Sequence, residues 1–471
     1  MNAWRHRMRR VRRVHFIGIG GAGMSGIADV LLGMGYEVSG SDLKLGTVTD
    51  RLSRRGAVIF EGHDAQHVNA IDVVVISSAV KNDNPEVLAA HAHLIPVVSR
   101  AEMLAEIMRF RQGIAIAGTH GKTTTTSFIA TIMAGAGLDP TFVIGGKLNS
   151  VATHAQLGAG EYLVAEADES DASFLYLKPI IAVVTNIDAD HMATYENDFN
   201  KLTATFLQFL HQLPFYGLAV LCADDPVLHK LLPEIGRPVL TYGIESAADV
   251  RAENLQPGNG RTRFDVVLKD GARSTMDLAL PGRHNVLNAL ASIAVAVELG
   301  IELNKIQEAL ASFQGIGRRF QITNNIKMAK GLVTLVDDYG HHPTEIRATL
   351  AAARETWPDR RIVLVFQPHR YSRTHDLMDD FSQVLSQADV LCLCEVYSAG
   401  ETLIAGADGR ALAQAVRARS KLNPIFIPRI VDLPDTLTDV LQANDVVLVM
   451  GAGDIGAMAQ QLPQRLQEAR A

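Results

Sequence analysis

Several large classes of protein are excluded by what this sequence lacks. It has three cysteines, Cys222, Cys392 and Cys394, too few for a disulfide framework. Cys392 and Cys394 stand one residue apart inside the apolar run Val390–Val396. That spacing puts both on one face of a strand and matches no common metal pair, so a structural role and a reduced, cytoplasmic protein are expected. No stretch of 18 apolar residues occurs, so neither a transmembrane span nor membrane insertion is expected. Positive charge is not in excess: 44 Lys plus Arg against 51 Asp plus Glu leave a net charge of -7, with charged residues at 20%. A nucleic-acid partner would want a basic field and is not expected. Tandem repeats and low-complexity linkers are absent. Six arginines between Arg5 and Arg13 precede the apolar run Val14–Ile19, which breaks into Gly18-Ile-Gly-Gly-Ala-Gly23 too soon for a signal peptide. The arginines read as a frayed, solvated arm.

What is there is enough for several cores. The chain has 471 residues, 48% of them apolar, and two to four domains are expected. Short apolar runs ending in Gly, Asp, Asn or His alternate with helical patterns, the mark of parallel sheets with crossover helices. Val14–Ile19, Glu37–Ser41 and Val73–Ser77 read as strands, with a helix over Ala22–Met34. The pattern restarts at Gly113–Ala117, followed by Tyr162–Ala165, Ile181–Thr185 and Leu218–Cys222. Val250–Leu280, rich in Gly, Asp and Arg, predicts an antiparallel edge. Beyond a turn at Gly315–Arg319 come strands at Leu332–Val336, Ile362–Phe366, Val390–Cys394 and Val446–Met450. The fold class expected is therefore α/β in three domains over 1–107, 108–317 and 318–471: Rossmann-like, a central phosphate-loop ATPase-like parallel sheet, and Rossmann-like again.

The chemistry gathers where strands end. Gly118-Thr119-His120-Gly121-Lys122-Thr123-Thr124 supplies glycines, a helix start, a lysine for phosphates and a hydroxyl for Mg²⁺. It is a shortened phosphate loop, because Ile116 stands where the usual spacing wants glycine. A nucleoside triphosphate follows. Two strands of the same block end in groups suited to a hard cation, Glu166-Ala-Asp168-Glu169-Ser-Asp171 and Asn186-Ile-Asp188-Ala-Asp190-His191. Each acid taken alone would more often be a helix cap or a solvated loop charge. Gly18-x-Gly20-x-x-Gly23, with Asp42 closing the second strand, has dinucleotide spacing, and Gly451-x-Gly453-x-x-Gly456 repeats it. Both cannot sensibly hold nicotinamide cofactors. A nucleotide-sugar diphosphate satisfies such a loop equally well. In the last block Asp337-Asp338-Tyr339-Gly-His341-His342-Pro343 and Gln367-Pro-His369-Arg370-Tyr-Ser-Arg373 each follow a strand. Arg370 and Arg373, three apart, could serve one carboxylate from a helical turn, and the paired histidines suit substrate hydrogen bonding better than one metal ion.

Six motifs in order resemble the Mur ligase family over nearly the whole chain: His15–Gly26, Gly118–Thr124, Glu166–Phe174, Gly282–Asn288, Asp337–Pro343 and Gln367–Arg373. The resemblance implies an ATP- and Mg²⁺-dependent ligase joining L-alanine to the carboxylate of UDP-N-acetylmuramate in cell-wall precursor synthesis, a monomer or weak homodimer. It places Gly20, Gly21, Ala22 and Gly23 near the diphosphate, and Ser41 and Asp42 near the uridine. It gives ATP the loop Gly118–Thr124 with His284, Asn285, Asn288 and Asp338. Thr123, Glu166 and His191 fall to the metal, and Tyr339, His341, Arg370 and Arg373 to the amino acid. Several relatives carry a carbamylated lysine where Thr205–Phe206 stand here, so none is expected. The implied chemistry is attack of the sugar carboxylate on ATP, an acyl phosphate, then amide formation assisted by a base, His341 or His191. A form that closes around its ligands would exclude water. The rivals are a recycling ligase that attaches a whole peptide, a nicotinamide-dependent dehydrogenase, and a nucleotide sensor without turnover.

Overall fold

The structure is a computed structural model that describes residues 8–77, 79–149 and 153–468. It is α/β throughout and is built on three sheets. The first holds β1 (Arg13–Ile17), β2 (Glu37–Asp42), β3 (Val58–Glu61), β4 (Val73–Ile76) and β5 (Val97–Ser99). All its pairings are parallel, in the order β3-β2-β1-β4-β5. The strand order reverses beside β1, which opens a crevice above the carboxyl ends of β1 and β4.

The second sheet has ten strands: β6 (Gln112–Ala117), β7 (Thr141–Leu148), β8 (Thr153–Gln156), β9 (Tyr162–Glu166), β10 (Ile181–Val184), β11 (Leu218–Cys222), β12 (Val239–Gly243), β13 (Val250–Gly258), β14 (Arg261–Leu268) and β15 (Arg273–Leu278). Their order is β15-β14-β13-β12-β11-β10-β6-β9-β7-β8, with β6 between β10 and β9 and parallel to both. The expected edge is there as β13, β14 and β15. Asn259 and Gly260, both at positive φ, join β13 to β14 in two residues, a connection that only antiparallel strands permit.

The third sheet comprises β16 (Gln321–Met328), β17 (Gly331–Asp338), β18 (Ile362–Phe366), β19 (Val390–Cys394), β20 (Ile425–Ile427) and β21 (Val446–Met450), in the order β16-β17-β21-β18-β19-β20. All pairings are parallel except β16 with β17. Its inner strands β18 and β21 are buried on both faces, which is why they read as unbroken apolar runs. Leu364, Phe366 and Leu448 pack on one side and Val363, Val365, Cys392 and Cys394 on the other, so the cysteine pair is core.

By its contacts the chain forms two compact units. One is Met1–Asn254 with Phe264–Met276 and Leu287–Gln314; the other is Leu255–Arg263 with Asp277–Val286 and Gly315–Ala471. The expected loose arm needs correction. Arg5 and Arg7 lie outside the described residues, but from Met8 onward the backbone is pinned. Met8 N donates to Tyr36 Oη at 2.8 Å, and the amides of Arg12 and Arg13 donate to Asp72 Oδ2 at 2.8 and 2.9 Å. The arginine side chains at 9, 10 and 12 stay in solvent while the chain beneath them is tied to the sheet.

Candidate active site

β6 delivers the chain into Gly118–Thr124, and the helix Lys122–Gly135 starts at once. Gly118 and Gly121 sit at φ 125° and 84°. A Cβ at Gly118 would lie 2.1 Å from Thr185 Oγ1, and one at Gly121 would lie 2.4 Å from Asn288 Oδ1, so both conformation and space demand glycine. The end of β10 clamps the loop. His120 N donates to Asn186 Oδ1 (2.8 Å), while Asn186 Nδ2 and Thr185 Oγ1 donate to His120 O (2.9 and 2.6 Å). Asp188 N donates to Thr119 Oγ1 at 2.9 Å, and His120 Nε2 lies 3.2 Å from Asp188 Oδ2. Asn288 Oδ1 accepts from Thr125 Oγ1 at 3.3 Å, tying its own helix to that of the loop. The loop is thus shaped before any anion reaches the helix N-terminus.

Lys122 Nζ donates to Gly118 O (2.6 Å) and to both oxygens of Glu169 (2.8 and 2.7 Å). Burial alone would lower the lysine pKa; the Glu169 carboxylate outweighs it and raises the pKa, keeping the ammonium charged. Glu169 was missed at the sequence level as a partner for Lys122, because 47 residues separate the two. Glu166 closes β9 in register with Ile116 of β6, beside the strand that feeds the loop, and its Oε1 accepts from Gly145 N at 2.7 Å. On the other side of β6, the segment after β10 carries His191 at φ 54°, with its Nε2 3.5 Å from Asp190 Oδ2. Thr123 lies in the first turn of the loop helix. The Thr123 hydroxyl and the Glu166 carboxylate are oxygen ligands of the kind Mg²⁺ takes, and the His191 nitrogen is softer. Thr205 bonds the Lys201 carbonyl at 2.7 Å, and Phe206 is buried edge-on against Phe174, so that helix turn carries a hydroxyl and a core aromatic.

Above the first sheet lies a cleft of 840 Å³ lined by Gly18, Gly20, Gly21, Asp42, His63, Ser77 and their neighbours. Asp42 Oδ2 accepts from Gly20 N at 2.9 Å and so holds the glycine loop. Ala22 and Gly23 begin the helix Ala22–Gly33 behind it. Ser41 is buried and donates its hydroxyl to Glu86 Oε2 at 2.6 Å. Glu86 also meets His63 Nδ1 (3.0 Å), His67 Nδ1 (2.7 Å) and, at longer range, His15 Nε2 (3.4 Å). Burial pushes the Glu86 carboxyl up, but His15, Ser41 and His67 more than offset it and hold the pKa at about 2. Ser41 therefore reaches the cleft through this carboxylate and His63, neither of which was singled out in the sequence. His63 follows the end of β3 by two residues, a strand-end position that could have marked it.

In the second unit, β17 and β18 end in the other two motifs. Asp338 is buried, and its carboxylate accepts from Phe320 N and Gly340 N, each at 2.8 Å. The guanidinium groups of Arg318 and Arg319 each lie 5.2 Å from the centre of the Tyr339 ring. His341 stands edge-on to Tyr339 (5.5 Å) and to His369 (5.8 Å), and His369 stacks on Tyr397 at 5.5 Å. Arg370, at φ 72°, precedes the helix Tyr371–Asp376, and Arg373 is buried within it. Burial first, then Arg373 and Arg370, hold the His369 pKa at about 4. His284 is likewise held at about 4 by burial and Arg319, and Asn285 Nδ2 donates to Pro281 O at 2.7 Å. His284 and Asn285 thus belong to the second unit, while Asn288 belongs to the first with the phosphate loop.

The second glycine motif is plugged by the chain itself. Gln367 Oε1 accepts from Ile455 N at 3.0 Å, at the start of the helix Ile455–Glu468, and its Nε2 donates to Asp454 Oδ1 at 2.5 Å. A Cβ at Gly456 would lie 2.3 Å from the Arg318 guanidinium. Identical spacing makes an open cleft over the first sheet and a packed corner over the third.

Comparison with known proteins agrees with this layout. Residues 13–112 match the Mur ligase family catalytic domain, 116–296 the Mur ligase middle domain and 318–453 the Mur ligase glutamate ligase domain. The chain is 60% identical over 459 residues to the UDP-N-acetylmuramate–L-alanine ligase of Methylococcus capsulatus, covering 98% of this chain and 97% of that protein. It superposes on the crystal structure of the UDP-N-acetylmuramate–alanine ligase of Thermotoga maritima with a TM-score of 0.82 at 30% identity, over 97% of this chain and 99% of the other. A murein peptide ligase from Psychrobacter arcticus follows at a TM-score of 0.72 and 26% identity, over 98% and 99% of the two chains.

Proposed function

The chain belongs to the Mur ligase family, and from that membership we infer that it joins L-alanine to the carboxylate of UDP-N-acetylmuramate, with cleavage of ATP, in peptidoglycan precursor synthesis. The observation that carries the reading is the preformed loop with Lys122 at the end of β6, between β9, which ends in Glu166, and β10, which is followed by Asn186–His191. Residues 1–107 would hold the UDP-sugar, 108–317 ATP and 318–471 the amino acid.

A carboxylate is a poor electrophile, so its oxygen first attacks the γ-phosphoryl group of ATP. Negative charge spreads over the transferring oxygens, and the Lys122 ammonium, paired with Glu169 here, would offset it. Thr123, Glu166 and His191 would hold Mg²⁺, which neutralises phosphate charge. Gly20, Gly21, Ala22 and Gly23 would face the diphosphate, and Ser41 and Asp42 the nucleoside end of the cleft. His284, Asn285, Asn288 and Asp338 would complete the ATP site. Arg370 and Arg373 would grip the alanine carboxylate, with Tyr339 beside it. His341 or His191 would take the ammonium proton.

Phosphate release from ATP, measured with UDP-N-acetylmuramate and each of several acceptors, tests the assignment. Release that needs both the sugar nucleotide and L-alanine, and that Lys122→Ala abolishes, is expected. Release triggered by a tripeptide but not by alanine would make this a recycling ligase. Silence with every acceptor would leave a nucleotide sensor.

A further inference from the structure

The roles above leave the reacting carboxylate of the sugar without a partner, and Arg100 stands where one is needed. It opens the helix Arg100–Met108, directly after β5 of the first sheet. A Cβ at Gly23, in the first turn of the glycine-loop helix, would lie 2.9 Å from Arg100 Nη1 and 3.0 Å from its Cδ, so that turn passes directly against the guanidinium. From there Arg100 Nη2 donates to Asp168 Oδ2 at 3.0 Å, in the acid loop that follows β9. Lys122 also attracts the same carboxylate. One carboxylate thus sits in the field of two cations, one beside the glycine loop and the other in the phosphate loop. The ion pair is not sealed in the core, since the two side chains keep 29% and 38% of their exposure.

Resting on the function proposed above, we propose that Arg100 receives the lactyl carboxylate of UDP-N-acetylmuramate, and that Asp168 occupies its place when no substrate is bound. The chemistry asks for a group of this kind. The diphosphate lies at Gly20–Gly23, the γ-phosphoryl group at Lys122, and the carboxylate must pass from the first to the second. A guanidinium fork matches a carboxylate in two parallel hydrogen bonds and stays charged at every working pH. An exchange of Asp168 for the substrate carboxylate keeps the guanidinium paired throughout.

Calorimetric titration of the full chain, without nucleotide, separates the possibilities. UDP-N-acetylmuramate carries the carboxylate, and UDP-N-acetylglucosamine is the same molecule without the lactyl group. Arg100→Gln is expected to bind the first roughly 10- to 100-fold more weakly and the second within about twofold of the parent protein. Equal weakening of both ligands would make Arg100 a diphosphate contact or a structural tie, and no weakening of either would also overturn the proposal. Arg100→Lys keeps the charge without the fork; a smaller loss with the same selectivity is expected, and it decides the matter if the glutamine variant does not fold. A parent protein that binds neither sugar nucleotide would instead sink the functional reading on which this one rests.

Discussion

Glu86 shows how much of this protein rests on single titratable groups. Its pKa, about 2 in the fold against 4.5 in the open chain, means that its ionised form is favoured by folding. That contribution is complete above pH 4.5 and disappears as pH falls toward 2. His284 and His369 work in a higher window. Both are held at about 4, against 6.5 in the unfolded chain, so the unfolded state takes up protons first as pH drops below 6.5. Their stabilising effect is present above 6.5 and fades down to 4. Each keeps some exposure, so solvent trims the effect to on the order of 1–2 kcal/mol per histidine. Thermal melts are expected to show stability falling between pH 6.5 and 4, with a further loss below 4.5. A His284→Asn, His369→Asn double variant that melted with the same pH slope as the parent between 6.5 and 4.5 would contradict this account.

At the scale of elements, the legible parts were those in which one short segment carries the whole signal. β6, β18, β19 and β21 are buried on both faces and read as unbroken apolar runs. The phosphate loop was legible because glycines, lysine and helix start lie within seven residues. β16 escaped notice because Gln321–Met328 buries only Ile326 and Met328 and otherwise reads as polar. The partners of site residues escaped for a different reason: Glu169 meets Lys122, Asp168 meets Arg100 and Glu86 meets Ser41 only through the fold, 45 to 68 residues apart. Gly121 belongs to this scale, because it ends a loop and starts a helix. Gly121→Ala would cost about 1–2 kcal/mol for the left-handed backbone, before any displacement of Asn288. A fall in kcat/KM for ATP of at least about tenfold is expected, and an unchanged value would mean that the loop reshapes when nucleotide binds.

For the whole molecule, the expectation made from the sequence is that ligands draw the parts together to keep water from an acyl phosphate. The buried cysteines make that motion measurable. Cys222, Cys392 and Cys394 are all in the core, and burial pushes the thiols of Cys222 and Cys392 up to about 11 and 12 and that of Cys394 higher still. Thiolate is the reactive form, so at neutral pH these three are silent toward maleimide dyes. A fluorophore pair can therefore be placed at engineered surface cysteines, one at Lys201 and one at Arg429, on the unaltered background. Energy transfer between them is expected to change when an ATP analogue and the UDP-sugar are both present; a constant signal would count against closure. Strands that evolved to be packed have thereby left the protein chemically blank, ready to carry whatever optical label the experimenter chooses.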